Sequence, residues 1–251
     1  MARARPIRRP VRRPRDIARV GEHHHRDVSG GAARAAVFGM SDGLVSNVCV
    51  ILGVAGGAHY DAGIVRLAGL VSMVGGAISM ALGEYVSMTA QSELFEAELD
   101  MERTEIRRRP EQERRELAQI YRSRGVDSAV ADELATEMMR DPDLALETHA
   151  REELGINPRA LGSPRQASLA SFVSFALGAL VPLLPWFFGG GRTSVVISIV
   201  LGAAAAVGAG AALARFTGRS LARSALRQLL LSGAAAAASF GIGSLFGVNV
   251  G

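Results

Sequence analysis

The apolar positions of this chain are clumped rather than spread. Five runs, Ala35–Ala58, Ile64–Met88, Ala167–Phe188, Ser194–Leu213 and Ala225–Val248, consist mainly of Ala, Val, Ile, Leu, Gly and Phe. Each holds about 20 or more residues, enough at about 1.5 Å per residue to cross a hydrocarbon core about 30 Å thick. The pattern predicts five membrane-spanning helices; the fifth carries Arg227 and Gln228 near its start. Between the second and third runs the pattern changes to acids and arginines interleaved with apolar residues at helical spacing. One helix continues the second span from Ala90 to Arg109. Pro110 stops it and opens a second, Pro110–Arg124, which ends at Gly125. Asp127 can cap a third, Asp127–Arg140, and Asp141-Pro142 starts a fourth that ends before Gly155. Leu117, Ile120, Tyr121, Val130, Leu134 and Met138 are the expected inward faces. The fold class is therefore all-α: a polytopic membrane protein with five transmembrane helices and a helical cytoplasmic domain. Its parts are a basic N-terminal segment (1–34), the first two spans (35–88), the helical domain (89–166) and the last three spans (167–251).

Composition supports this reading. Hydrophobic residues make up 49% of the chain and aromatics only 5%, an unusual balance for a soluble domain of this size. Every basic residue is arginine, and ten of them fall in the first 34 residues beside three acids. A basic arm of this kind can hold nucleic acid, but one placed just before a span is read more simply as a topology signal and a contact for the anionic lipid bilayer. No nucleic-acid partner is expected. The first loop, His59–Val65, has no arginine, and the third, Gly189–Thr193, has only Arg192. Arg215, Arg219, Arg223 and Arg227 lie between the fourth and fifth spans, and none follows the fifth. The alternation predicts a cytoplasmic N-terminus and helical domain and an external C-terminus, as a multi-pass plasma-membrane protein. No secretory signal peptide is expected, because the Arg-rich start lacks an apolar core followed by a cleavage site. The lone cysteine, Cys49, lies in the first span and excludes an intrachain disulfide.

Candidate chemistry falls in two places. Asp42 lies eight residues into the first span, where an ionisable side chain is expensive and functional by default. Ser46 follows on the same face. Met80 and Glu84 form an i, i+4 pair in the second span, which runs antiparallel at comparable depth. Two carboxylates, a thioether and a hydroxyl can thus meet at one level, and Gly39-x-x-x-Gly43 and Gly53-x-x-x-Gly57 permit close helix approach. In the helical domain, Glu102/Glu105 and Glu113/Glu116 are i, i+3 pairs, and His149/Glu153 is an i, i+4 pair. Like charges at these spacings repel, and a bound divalent cation would relieve the repulsion. Carboxylates with one imidazole suit Fe²⁺, Mn²⁺ or Zn²⁺ better than a soft metal. The alternative is a solvated face, since Arg103, Arg107, Arg108, Arg114 and Arg115 are interleaved with the acids.

RAAVFGMSDGLVSNVCVILGVAGG (Arg34–Gly57) and GGAISMALGEYVS (Gly75–Ser87) resemble the first and second spans of the vacuolar iron transporter family, and the acidic insert ending in EELGI (Glu152–Ile156) falls where that family has its metal-binding domain. The resemblance covers nearly everything from His25 onward. It implies a homodimer that exports cytosolic Fe²⁺, and often Mn²⁺, against inward proton flow, with no tightly bound cofactor and no enzymatic activity. Asp42 and Met80 match the family's transmembrane metal positions; Glu102, Glu105, Glu113, Glu116 and Glu153 match glutamates of its cytoplasmic helices. Two departures stand out. The family has Met and Glu where this chain has His149 and Ala150, and a carboxylate where it has Ser72, for which Glu84 is the expected substitute. A membrane-anchored, iron-binding ferroxidase or store is the rival expectation. The leading segment is too short and basic for a ferritin-like bundle, which argues against the ferritin fusions that share this module.

Overall fold

The computed structural model describes residues 31–155, 157–158 and 162–247. Most of the basic N-terminal segment therefore lies outside the described residues. Among those described there are nine helices and no strand. In chain order they are α1 (Gly31–Gly57), α2 (Ala62–Arg108), α3 (Pro110–Ser123), α4 (Ser128–Met138), α5 (Pro142–Glu152), α6 (Pro164–Leu183), α7 (Pro185–Phe188), α8 (Gly191–Thr217) and α9 (Leu221–Phe246). Five of them, α1, α2, α6, α8 and α9, are long and apolar enough to cross a membrane.

The second span and the first helix of the domain are one continuous rod. Asp61 caps its start by accepting a hydrogen bond from the Ile64 amide at 2.8 Å. From Glu84 to Arg108 the sequence has neither Gly nor Pro and is rich in Glu, Ala, Leu, Met and Arg, all strong helix formers. Nothing interrupts the helix at the membrane surface, so it runs for 47 residues, about 70 Å. Pro110 then forces the chain to turn and begins α3. The α3–α4 turn uses Gly125 at φ 91, a left-handed conformation that glycine adopts without steric cost. Asp127 and Asp141 cap α4 and α5 as the sequence predicts. In the small bundle Leu117, Ala118 and Ala135 form the core, with Tyr121 and Met138 against them. Val130 was expected to face inward and is instead exposed; Ala131 takes the buried place. Alanine at 131 and 135 lets α4 approach α3 more closely than a valine would.

Within the membrane α1 is the hub: it packs most extensively along α6 and also meets α9, α2 and α8, while α2 lies against α6 and α9 against α8. Gly39, Gly43 and Gly178 set the α1–α6 distance. A Cβ at Gly43 would overlap the Phe175 carbonyl, and one at Gly178 would overlap that of Met40. Ile51, Ala55, Val65, Leu183 and Trp186 make one buried cluster, and Leu44, Val48, Leu52, Ala206 and Ala236 another. The third apolar run extends to Phe188, with Pro182 and Pro185 inside it, but its helix does not. The helix ends at Leu183, and a single turn, α7, follows, because Pro185 has no amide to continue the ladder. Ser198 of α8 closes the break. Its hydroxyl donates to the Pro182 carbonyl at 2.7 Å and accepts from Trp186 Nε1 at 3.0 Å.

The Gly43 contact yields a prediction. Gly43→Ala should lower the thermal midpoint of the detergent-solubilised protein by an amount equivalent to about 1–3 kcal/mol, the usual cost of overpacking. Gly241→Ala on α9, where a Cβ meets nothing within 4 Å, should be neutral or slightly stabilising.

Candidate metal centre

Among the described residues, two groups of side chains have the chemistry to hold a cation, and α2 contributes to both. The first is a groove inside the membrane. Asp42 and Ser46 of α1 face Ser72, Gly76, Ser79 and Met80 of α2, with Phe175 of α6 as the floor. Ser46 Oγ donates to Asp42 Oδ1 at 3.3 Å. Phe175 is buried because Gly76 has no side chain in the way of its ring. Met80 packs at the edge of the cluster formed by Ala77, Phe175 and Ala179. The donors are thus one carboxylate, serine hydroxyls and one thioether, a mixed set suited to a borderline divalent ion such as Fe²⁺. Ser79 and Phe175 were not singled out in the sequence. Ser72, Gly76, Ser79 and Met80 repeat at three- and four-residue spacing, a small and polar stripe that was available to be read.

Glu84 does not line this groove. Its carboxylate lies 3.0 Å from Arg34 Nη2. The expected meeting of Asp42, Met80 and Glu84 at one level is therefore divided: Asp42 and Met80 share the groove, and Glu84 is held by α1 one helical turn nearer the helical domain.

The second group lies in the helical domain. Glu102 of α2, Glu113 of α3 and His149 of α5 each offer a ligand atom, all within 4.8 Å of one another. All three are buried. His149 Nδ1 lies 3.4 Å from Glu153 Oε2 and 3.1 Å from Glu102 Oε1, the latter without the alignment of a hydrogen bond. Glu102 Oε1 and His149 Nε2 are buried with no hydrogen-bond partner, which is costly unless a cation or a proton compensates. Glu105 and Glu116 are exposed at the rim. The other acids behave as a solvated surface: Asp100, Glu111, Glu147 and Glu152 pair with Arg103, Arg114, Arg151 and Arg124. Pairing with arginine thus accounts for several of the outer acids and not for the triad.

Electrostatics tie the five glutamates together. Burial, then the charges of Glu153, Glu113, Glu105 and Glu116, push the Glu102 carboxyl up to about 7. Burial and the neighbouring Glu116 raise Glu113 as well. Two carboxylates and an imidazole crowded into one dry site, with Glu153 at its edge, are poorly stable as they stand and would be relieved by a divalent charge.

These features define a class: a polytopic helical membrane protein with one acid-bearing groove at bilayer depth and a carboxylate–imidazole cluster in a helical domain. Residues 33–244 match the sequence model of the VIT family, and the chain belongs to that family. It is 36% identical to a vacuolar iron transporter of Acanthamoeba castellanii, over 90% of this chain and 83% of the relative. It is 31% identical to vacuolar iron transporter 1 of Eucalyptus grandis, over 85% and 86%, and 29% identical to vacuolar iron transporter 1 of Arabidopsis thaliana, over 86% and 88%.

The raised carboxyl gives a pH dependence with a definite sign. Because Glu102 holds its proton more tightly folded than unfolded, its contribution to stability is full below about pH 4.5 and is lost as pH rises through about 7. The metal-free protein should therefore unfold at a lower temperature at about pH 7.5 than at about pH 5.5, by an amount equivalent to about 2 kcal/mol from this group. Glu102→Gln should flatten that dependence. Added Mn²⁺ or Zn²⁺ should raise the midpoint more at the higher pH, where no proton has to leave.

Proposed function

We propose that the chain carries a divalent metal ion, Fe²⁺ and also Mn²⁺, out of the cytosol in exchange for protons. The observation that carries this reading is the groove in which Asp42, Ser46 and Met80 meet between α1 and α2, on the side of the apolar bundle. A carboxylate at that depth binds either a cation or a proton, and the two compete for one site, which is the elementary requirement of exchange. The names of the relatives, vacuolar iron transporters, support metal as the cargo. The arginine distribution supports a cytoplasmic N-terminus and helical domain. The membrane is then one that bounds the cytosol: the plasma membrane on the sequence reading, the vacuolar membrane in the relatives' names.

The helical domain acts in this reading as the collector. Glu102, Glu113 and His149, with Glu105, Glu116 and Glu153 around them, raise the local concentration of metal at the cytoplasmic side. The protein works as a homodimer. Asp42 is exposed at the side of a single chain, and hydrocarbon does not tolerate such a face. Beside it α2 presents Leu67, Val71, Val74, Ile78, Leu82 and Val86, all exposed, and a second copy set against this stripe covers the groove. The buried triad also favours a second reading, a membrane-anchored ferroxidase or iron store.

Proteoliposomes holding a metal reporter separate these readings. Fe²⁺ uptake driven by a pH gradient is expected; Fe²⁺ oxidation without uptake would favour the ferroxidase. Asp42→Ala should abolish uptake while the protein stays folded, and uptake at the normal rate would remove Asp42 from the mechanism. Met80→Leu should cause a milder loss, largest for Fe²⁺ or Co²⁺ and smallest for Mn²⁺, since Mn²⁺ gains least from a thioether. Orientation is checked by labelling intact cells that carry the chain in a Cys49→Ser background. A cysteine at Gly190, in the α7–α8 turn, should react from outside, and one at Ser128 should not; the reverse would overturn the topology.

A further inference from the structure

The Arg34–Glu84 ion pair sits at one defined place. Glu84 is four residues beyond Met80 on α2, about 6 Å along the axis toward the helical domain, and Arg34 is eight residues before Asp42 on α1, about 12 Å. Directly beside the pair, Ala35 of α1, Met88 of α2 and Ala167 of α6 pack together, so the cytoplasmic ends of three helices converge there. A cation passing from the buried triad to the groove must cross this level.

The two partners are unequal. The Glu84 side chain is 17% exposed and that of Arg34 is 57% exposed. Arg34 can leave the pair and be hydrated at little cost. Glu84 is largely enclosed, so its carboxylate is poorly solvated and depends on a cation beside it. Arg34 supplies that cation, and another cation can take its place. A divalent ion arriving at Glu84 carries twice the charge of the guanidinium and repels it, so the two exclude one another.

We propose that Arg34 is a tethered counter-cation for Glu84, holding that carboxylate charged at the cytoplasmic mouth of the groove when no metal is present and yielding it to an incoming divalent cation. Arg34 is a positioning residue in this scheme and touches no metal. The pair keeps the mouth closed by charge when the groove is empty. It also gives Glu84 a role in delivering metal to Asp42 and Met80 although it does not line their groove. The inference rests on the transport reading for its purpose, but not for its test.

The test is equilibrium binding of Mn²⁺ to the purified full-length protein in detergent, with Glu102→Gln and Glu113→Gln present to silence the buried triad. Arg34→Gln removes the competing cation and should tighten Mn²⁺ binding about threefold to fivefold, the factor that corresponds to a partly exposed ion pair. Glu84→Gln should weaken binding, and adding Arg34→Gln to it should change nothing further. Arg34→Lys, which keeps the charge without the planar fork, should fall between wild type and Arg34→Gln and serves if the glutamine variant does not fold. Unchanged affinity in Arg34→Gln, an equal gain in the Glu84→Gln background, or no Mn²⁺ binding outside the triad would overturn the proposal. Metal flux through the same variants in proteoliposomes reports separately: a protein that shows the expected binding pattern but moves no metal would sink the transport reading and leave the exchange intact.

Discussion

The approach of α1 to α6 governs the geometry of the membrane bundle. Gly39, Gly43 and Gly178 bring the two backbones so close that a methyl group at any of them would strike a carbonyl or hydroxyl oxygen. With α1 seated this deeply, Asn47 reaches the Ala179 carbonyl at 2.6 Å, and the buried faces of Leu44, Val48 and Ile51 find their partners. Packing of this kind matters more in lipid than in water, because apolar surface alone does not drive one helix onto another there. The seat of α1 also decides where Asp42 stands. With the backbone anchored at residue 43 against Phe175, the neighbouring carboxylate is turned toward α2, and Phe175 itself becomes the floor of the groove.

Charge inside a medium of low polarity sets the second constraint. Asp42 is met by a serine hydroxyl, Glu84 by an arginine, and the buried carboxylates of the helical domain by an imidazole and by one another. Only the Glu84 arrangement is complete in the ordinary sense of an ion pair. The triad is buried and short of positive charge, and burial first, then the neighbouring carboxylates, push Glu102 up to about 7. A site short of positive charge is weak as a structural element and strong as a trap for cations. The chain places such sites at two levels along α2.

Much of this was legible in the sequence, for identifiable reasons. Five spans follow from five apolar runs, since hydrocarbon thickness fixes their length. The helices of the domain follow from Pro110, Asp127, Asp141-Pro142 and Gly125, each with a specific backbone role at a helix end. Asp42 stood out because a carboxylate in a span has few bland explanations. What the sequence did not fix is relative rotation. Helical spacing assigns Glu84 to the face of Met80 but not to the reach of Arg34, fifty residues earlier. Val130 and Ala131 are equally compatible with an inward face until the α3–α4 distance is known. The isolation of Glu102, Glu113 and His149 from a dozen similar acids depends on three helices folding back on one another, which no local pattern encodes. The break at Leu183 was visible in Pro182 and Pro185 only as a possibility, and the hydroxyl of Ser198 is what makes it permanent.

The unbroken course of α2 from the groove to the triad has a mechanical consequence. A helix without a hinge behaves as a lever whose fulcrum is its contact with α6. Glu102 lies 22 residues beyond Met80, about 33 Å along the shaft. A tilt of about 10° in the membrane half would therefore swing Glu102 through about 6 Å, more than the span of the three ligand atoms it brings together. Any motion that opens or closes one end of this lever must be registered at the other.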